Sequence, residues 1–400
     1  MSDSFDVIIL GGGCAGLSLA TRLASSGGTC PRVVVLEGRA AYTHDRTWCF
    51  FKDSQAPAQH SVQHAWPSMR ITSGSGSVTI DCGSMPYEMV HAGQFYHSAQ
   101  SIINQSDHVD LRMDVAIKKA PEKREGVWRV ETGVGAFHAP YVIDTRPAKR
   151  PERGGAKLWQ SFYGQEIECS ADTFDVSCGD LMDFSAANAC GAQAAFPDAV
   201  SFVYVLPTTA RRALLEFTVF GPDPLNPDLL HDLLAKAVMQ RVGSTEFSVL
   251  RSEHGVLPMG TLPSVSSHDA SYVFAGLTAG GARPSSGYAF ARIQRWAASC
   301  ADALASGQGP VGHAPDSFIL RTMDALFLKL VRAYPQAAPD LFTALFAGTN
   351  TDSLIRFLSD RATLADNARV VAALLPRPLL RALTGRTRQN RSGLPLLKAQ

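Results

Sequence analysis

The chain has 400 residues, 46% of them hydrophobic and 18% charged, with 33 glycines and 23 prolines. That balance supports a large buried core, excludes wholesale disorder, and leaves room for one large domain or two to three ordinary ones. A net charge of +1 argues against a dedicated nucleic-acid binder and says nothing about small substrates.

The eight cysteines are scattered, with no C-x-x-C pair and no Cys/His cluster of zinc type, so reduced thiols and no metal are expected. The start, Met-Ser-Asp-Ser-Phe-Asp, is acidic and runs directly into an apolar strand, unlike a signal peptide. No apolar run approaches the ~20 residues a spanning helix needs. The expectation is a cytoplasmic protein with at most a peripheral hold on a membrane.

In chain order, FDVIIL (5–10) reads as a buried parallel strand, and GGGCAG (11–16) follows it. LSLATRLASSG has helical spacing and stops at Gly27, and VVVLE (33–37) is a second buried strand. Between about 60 and 250 come many short strand-like stretches, among them VWRVET (127–132), SFVYVL (201–206) and ALLEFTVF (213–220), separated by Gly-, Pro-, Asp- and Ser-rich turns. PYVIDT (140–145) is an apolar strand closing on Asp144, and SYVFAGL (271–277) repeats its character before a glycine-rich turn and a helix from about 289 to 305. After 310 helical patterns follow one another. The expected architecture is α/β with a β-rich insert: a Rossmann-like nucleotide-binding domain assembled from 1–60, 110–150 and 251–310, an antiparallel-sheet substrate domain from 61–109 and 151–250, and a C-terminal helical region over 311–400.

Gly11, Gly13 and Gly16 fit G-x-G-x-x-G between a strand and a helix, with Cys14 and Ala15 opening that helix. The first glycine permits the tight turn, the second lets a pyrophosphate approach the backbone, and the third lets helix and strand pack closely. The helix start offers free N–H groups to the phosphates. Glu37 closes the second strand 21 residues after Gly16, where an acid accepts hydrogen bonds from ribose hydroxyls. The sheet resumes only at VIDTRP (142–147) and VFAGLTAGG (273–281), a discontinuity that resembles the large FAD-binding group of hydroxylases and reductases. FAD is therefore the expected dinucleotide, held also by Asp144 and by Gly276. That group carries a late Gly-Asp pair on the flavin; Gly276-Leu277 stands here without the Asp. A second G-x-G-x-x-G set between a strand and a helix, as an NADPH domain needs, does not occur; the spacing at Gly307, Gly309 and Gly312 follows a helix.

DRTWCFF (45–51), LMDF (181–184), FVYVLP (202–207), ALLEFTVF (213–220), GVLPMG (255–260) and GGARPSSGYAFARIQRW (280–296), together with DVIILGGGCAGLSLA (6–20), resemble the bacterial lycopene cyclases nearly end to end. The resemblance implies a redox-neutral ring closure that requires reduced FAD, with NADPH as reductant and lycopene or a related linear carotenoid as substrate. An acid protonates the terminal C1=C2 bond, C5=C6 attacks the resulting cation, and loss of a proton from C6 gives a β-ring. Stabilisation of that charge in a dry pocket is the main catalytic task.

The family's L-x-E-x-T glutamate falls on Glu216, expected to be the acid, with burial among Leu and Phe raising its pKa; strand alternation alone would equally turn it to water. Asp183 in LMDF is a candidate second carboxylate, or else a turn residue. Gly287 and Tyr288, before the helix at about 289, are expected at the flavin, where the helix dipole favours an anion; a Ser/Gly cap also satisfies that segment. Arg46 and Thr47 follow the second strand, where family members place a loop near the flavin. Trp48, Phe217 and Phe290 are candidate linings of the cation path, against the plain alternative of packed core aromatics. From Asn367 onward seven Lys or Arg residues and no acid interleave with leucines, which suits either an anionic membrane surface or an amphipathic helix packed on the body.

Overall fold

The computed structural model describes residues 3–27, 30–52, 62–147, 157–260 and 267–374, and the chain divides into two compact units, each built from three separate segments. The first comprises 1–65, 88–156 and 258–325. Its centre is a parallel sheet in the order Tyr272–Phe274, Tyr141–Asp144, Val7–Leu10, Val33–Leu36, Val109–Arg112. Val7–Leu10 and Val33–Leu36 are buried at every position, because both faces of the sheet are covered; that is why they read as unbroken aliphatic runs.

One face packs against three helices, Cys14–Ser25, Ala92–Asn104 and Phe290–Ala305, whose Leu17, Leu23, Phe95, Ile103, Ile293 and Trp296 join Val7, Ile9, Val33 and Val35 in one core. The other face carries Ile8, Leu10, Val34 and Leu36 against Val130, Phe137 and Ala139 of a small sheet. Each aliphatic side chain fully buried this way contributes roughly 1.5–3 kcal/mol relative to exposure. The helix Ala92–Asn104 explains a departure from the expected partition. Its apolar stripe of Ala92, Phe95, Tyr96, Ala99 and Ile103 completes this core, so residues 88–109 group with the nucleotide-binding unit rather than with the β-rich one.

The second unit comprises 66–87, 157–257 and 326–400. Seven strands run in the order Phe247–Met259, Leu158–Cys169, Arg212–Gly221, Val200–Pro207, Cys178–Asp183, Ser68–Ser73, Gly76–Asp81, antiparallel in the centre and parallel between Cys178–Asp183 and Ser68–Ser73. Ala213, Leu215, Phe217 and Val219 alternate along one strand and share a core with Leu230, Leu233, Leu234 and Val238 of the helix Pro227–Val242. That helix starts at Asn226, whose side chain accepts from the Asp228 N–H at 3.0 Å, and has proline in its first turn. Alternation places Leu214, Glu216 and Thr218 on the opposite face.

The helices Ala338–Gly348, Thr351–Leu358 and Leu364–Leu374 belong to this second unit, so the expected C-terminal region is not a unit of its own. Asp366, fully buried, accepts from Arg356 at 2.8 and 2.9 Å and joins two of these helices. Among the described residues no helix is long and apolar enough to cross a membrane. Most of the basic, leucine-rich tail, from residue 375 onward, lies outside the described residues.

Candidate active site

The glycine turn follows from close approaches. Gly11 has φ +95°, and a Cβ on Gly16 would stand 2.0 Å from the Gly11 carbonyl oxygen, so both positions are closed to a side chain. Gly13 differs: it caps the helix Cys14–Ser25 without a side-chain hydrogen bond, and a Cβ there would meet nothing within 4 Å. An open helix N-terminus of twelve residues, walled by glycine, is a cradle of the shape a pyrophosphate fills. Cys14 is no nucleophile in this position; burial pushes its thiol up to about 12.

Glu37 is buried, and its Oε2 accepts the Gly12 N–H at 2.7 Å while Oε1 accepts Arg39 N and Nε at 2.8 and 3.0 Å. Burial opposes ionisation, but the Arg39 contacts and the Gly12 N–H outweigh it and hold this carboxyl below its usual range. Arg39 lies over the rings of Tyr42 and Tyr96, which stack at 4.4 Å, and the Tyr42 hydroxyl donates to Gly12 O at 2.8 Å. Sequence reading missed Arg39, Tyr42 and Tyr96; the E-x-R spacing at 37–39 was the available signal for the first.

Asp144 is engaged by Arg146 at 2.7 and 2.9 Å and by the Tyr272 hydroxyl at 2.8 Å, an arrangement that ties the Tyr141–Asp144 and Tyr272–Phe274 strands together. Gly276 has φ +84°, and its N–H donates to His313 Nε2 at 3.1 Å. His313 is held neutral, its pKa lowered to about 4 chiefly by burial and further by Arg292, which leaves that nitrogen free to accept. Gly287 at φ +70° lies in a turn closed by Gly287 N to Arg283 O and Arg283 N to Tyr288 O, both 2.9 Å. Arg283 itself is buried against Asp324 at 2.9 Å. The following helix begins at Phe290, and its Ala289 cap makes no side-chain hydrogen bond.

Thr47–Phe51 is a strand rather than a loop, and the Arg46 carbonyl accepts from Ala92 N at 3.0 Å. The Arg46 side chain is exposed and pairs with Asp45 at 3.0 Å. Trp48 stacks on Phe290 at 5.3 Å and meets Phe95 and Tyr96 edge-on; Phe290 is buried in the core of the first unit while Trp48 stays partly accessible.

In the second unit Glu216 sits mid-sheet, with Gly164 directly opposite on one neighbouring strand and Tyr204 on the other. It is half-buried yet enclosed by protein atoms, and the Thr218 hydroxyl, two residues on and fully buried, donates to its Oε1 at 2.7 Å. Desolvation first, then the charge of Glu253, raises its pKa to about 8, against the lowering effect of Thr218. Gly164 makes the approach of Glu253 possible: a Cβ there would lie 3.3 Å from Glu253 Cγ and 3.5 Å from Glu216 Cγ. Glu253 pairs with Arg251 at 2.5 Å, and Arg251 also holds the buried Glu166 at 2.6 Å, as does Arg212. Glu253 was not singled out from sequence.

Asp183 does not join this group. It pairs across the ladder with Val203, which opposes Phe217, so its side chain leaves the face opposite to Glu216. There it caps the short helix Phe184–Ala189, accepting Ala186 N at 2.8 Å, with its pKa raised by burial first and by Asp180. Phe217 likewise points away from Glu216 and is fully buried in the core beneath Pro227–Val242, which gives it a packing role in place of the expected lining one. Among the described residues no group of His, Cys, Asp and Glu could hold a metal ion.

The fold is shared with solved structures that include an FAD complex. A geranylgeranyl bacteriochlorophyll reductase-like protein of Thermoplasma acidophilum superposes with a TM-score of 0.60 at 12% identity, over 96% of this chain and all of that one. The p-nitrophenol 4-monooxygenase of Pseudomonas putida gives 0.58 at 14%, over 97% and 98% of the two chains. A variant of the halogenase PltM, solved in complex with FAD, gives 0.56 at 13%, over 98% and 93%. The model of the lycopene cyclase protein family matches residues 6–384, and the chain belongs to that family. The lycopene beta-cyclase of Pantoea ananas is 24% identical over 401 residues, covering 96% of this chain and 98% of that protein.

Proposed function

We propose that the protein closes the ψ-ends of lycopene, or of a closely related linear carotenoid, into β-rings without net redox change. The observation that carries this reading is Glu216, a half-buried strand carboxyl raised to about 8. Protonating an alkene requires an acid that is neutral at working pH and surrounded by little water. At pH 7 a group with this pKa is protonated about nine times in ten. Thr218 fixes the orientation of the carboxyl at 2.7 Å, and Tyr204 and Gly164 flank it on the same sheet face. Proton transfer from Glu216 to a terminal C1=C2 bond starts the reaction, and attack by C5=C6 closes the six-membered ring and leaves the cation at C5. Loss of the C6 proton, which balances the one the Glu216 carboxyl gave up, then forms the C5=C6 bond of the β-ring.

The first unit fits FAD: Gly13, Cys14 and Ala15 would present backbone to its pyrophosphate, and Glu37 would receive the adenosine ribose with its remaining acceptor capacity. Bound and reduced by NADPH, FAD would supply an electron-rich ring able to stabilise positive charge. Contact with a membrane surface is part of this proposal, since the substrate is insoluble in water.

The test supplies lycopene and chemically reduced FAD without oxygen. Cyclic carotene should form with no net consumption of reductant, and Glu216→Gln should abolish ring closure while flavin absorbance is retained. Steady NADPH oxidation with a reduced or hydroxylated product would instead make the protein an oxidoreductase like its structural neighbours, and an active Glu216→Gln variant would remove Glu216 from its role.

A further inference from the structure

We infer that Glu253, anchored by Arg251, is a positioning residue whose fixed negative charge keeps the Glu216 carboxyl in its proton-bearing form. The inference rests on the reading of Glu216 as the acid, and it assigns work to a chain of charges on the same sheet face. Arg212 and Arg251 each donate to Glu166 at 2.6 Å, and Arg251 donates on to Glu253 at 2.5 Å. Glu166 and Glu253 are both buried, so neither carboxylate is screened by bulk water. Arg212 and Arg251 outweigh burial and hold Glu166 well below the usual carboxylate range. Two guanidinium groups thus face two carboxylates, and Glu216 is the third acid of the row.

The geometry at Gly164 is specific. Glu216 and Glu253 both lie within 3.5 Å of the point a Cβ on Gly164 would occupy, so any larger residue there would drive a wedge between them. Around Glu216, Thr218 lies on its own strand, Gly164 and the clamped Glu166 on one neighbouring strand, Tyr204 on the other, and Arg251 and Glu253 on the edge strand beyond. Arg251 pairs with Glu166 and Glu253, and the group that meets Glu216 at the Gly164 gap is the Glu253 side chain. Two like charges that share a site cannot both ionise cheaply, and the one with no cationic partner among the described residues keeps its proton.

The experiment follows the side-chain carboxyl of Glu216 by carbon-13 NMR of glutamate-labelled protein across a pH titration, without substrate, beside the pH profile of ring closure. In the parent, Glu216 should titrate near pH 8; a midpoint in the ordinary carboxylate range overturns the inference without any variant. In Glu253→Gln the midpoint should move down, and ring closure at pH 8 should fall about fivefold while that at pH 6 changes less than twofold. Glu253→Asp, which keeps the charge, should restore most of the parent midpoint. An unmoved midpoint in Glu253→Gln overturns the inference even if Glu216→Gln is inactive, which separates its failure from failure of the proposed function.

Discussion

Glu216 and Asp183 occupy one sheet but project from opposite faces, because Asp183 pairs with Val203, Val203 with Phe217, and Glu216 immediately precedes Phe217 on its strand. Asp183 caps a helix, so Asp183→Ala should lower stability by about 1 kcal/mol and leave the rate of ring closure within about twofold. Chemical denaturation together with a single-turnover assay checks both halves; a loss of turnover larger than tenfold at unchanged stability would return Asp183 to the chemistry.

Ring closure should be favoured at neutral pH and lost on the alkaline side. The neutral form of Glu216 is the active one, so rate should fall with a midpoint near pH 8 as its proton leaves. Stopped-flow measurement on pre-reduced protein isolates the chemical step from flavin reduction. A rate that rises through this range would mean that Glu216 acts as a base.

The same group links pH to stability. Its folded pKa lies above the ordinary value of 4.5, so the folded state binds the proton more tightly than the unfolded one. The stability this contributes is full below about 4.5 and is lost as pH rises toward 8, at most about 1.4 kcal/mol for each unit. Glu216→Gln removes the titrating group. Its melting temperature relative to the parent should therefore rise between pH 5 and pH 8.5, which parallel thermal melts would measure.

Two glycines in one motif should respond in different ways. Gly16→Ala places a methyl 2.0 Å from Gly11 O and should lower stability by several kcal/mol or prevent folding. Gly13→Ala meets no protein atom within 4 Å and has φ −80°, so the flavin-free protein should melt within about 2 °C of the parent. Its FAD affinity should drop by at least tenfold, read by titration calorimetry. Equal FAD affinity in Gly13→Ala would show that the phosphates do not pass over that residue.

Arg283 and Asp324 form a buried ion pair that also receives the Ser285 hydroxyl at 2.8 Å. Arg283→Met leaves Asp324 unpaired and should cost about 3–5 kcal/mol, whereas adding Asp324→Leu should restore much of it. Urea titration of the two variants measures the difference.

Much of the nucleotide-binding unit was legible because its signals are local. VIIL, the glycines at 11, 13 and 16, and Glu37 act within a single βαβ segment, where spacing and conformation are coupled directly. Glu253 was not legible because its neighbour, Glu216, is 37 residues away in the chain and meets it only across a third strand at Gly164. Phe217 and Asp183 were misplaced for a related reason: each sits beside a family motif, but the period of two along a strand sends adjacent side chains to opposite faces. The bulge between Asp180 and Asp183 shifts that parity once more, and nothing in LMDF announces it. The helix Ala92–Asn104 was drawn into the wrong unit because composition gives no hint of which core its stripe completes.

The order of strands in the parallel sheet bears on how the chain matures. Val7–Leu10 leaves the ribosome well before its neighbour Tyr141–Asp144, and Tyr272–Phe274, which pairs with the far side of that neighbour, emerges later still. Until residue 274 has emerged, the nascent polypeptide carries a sticky aliphatic ribbon with unpaired amides. Synthesis in a cell short of chaperones should therefore yield insoluble material even where the finished protein is stable.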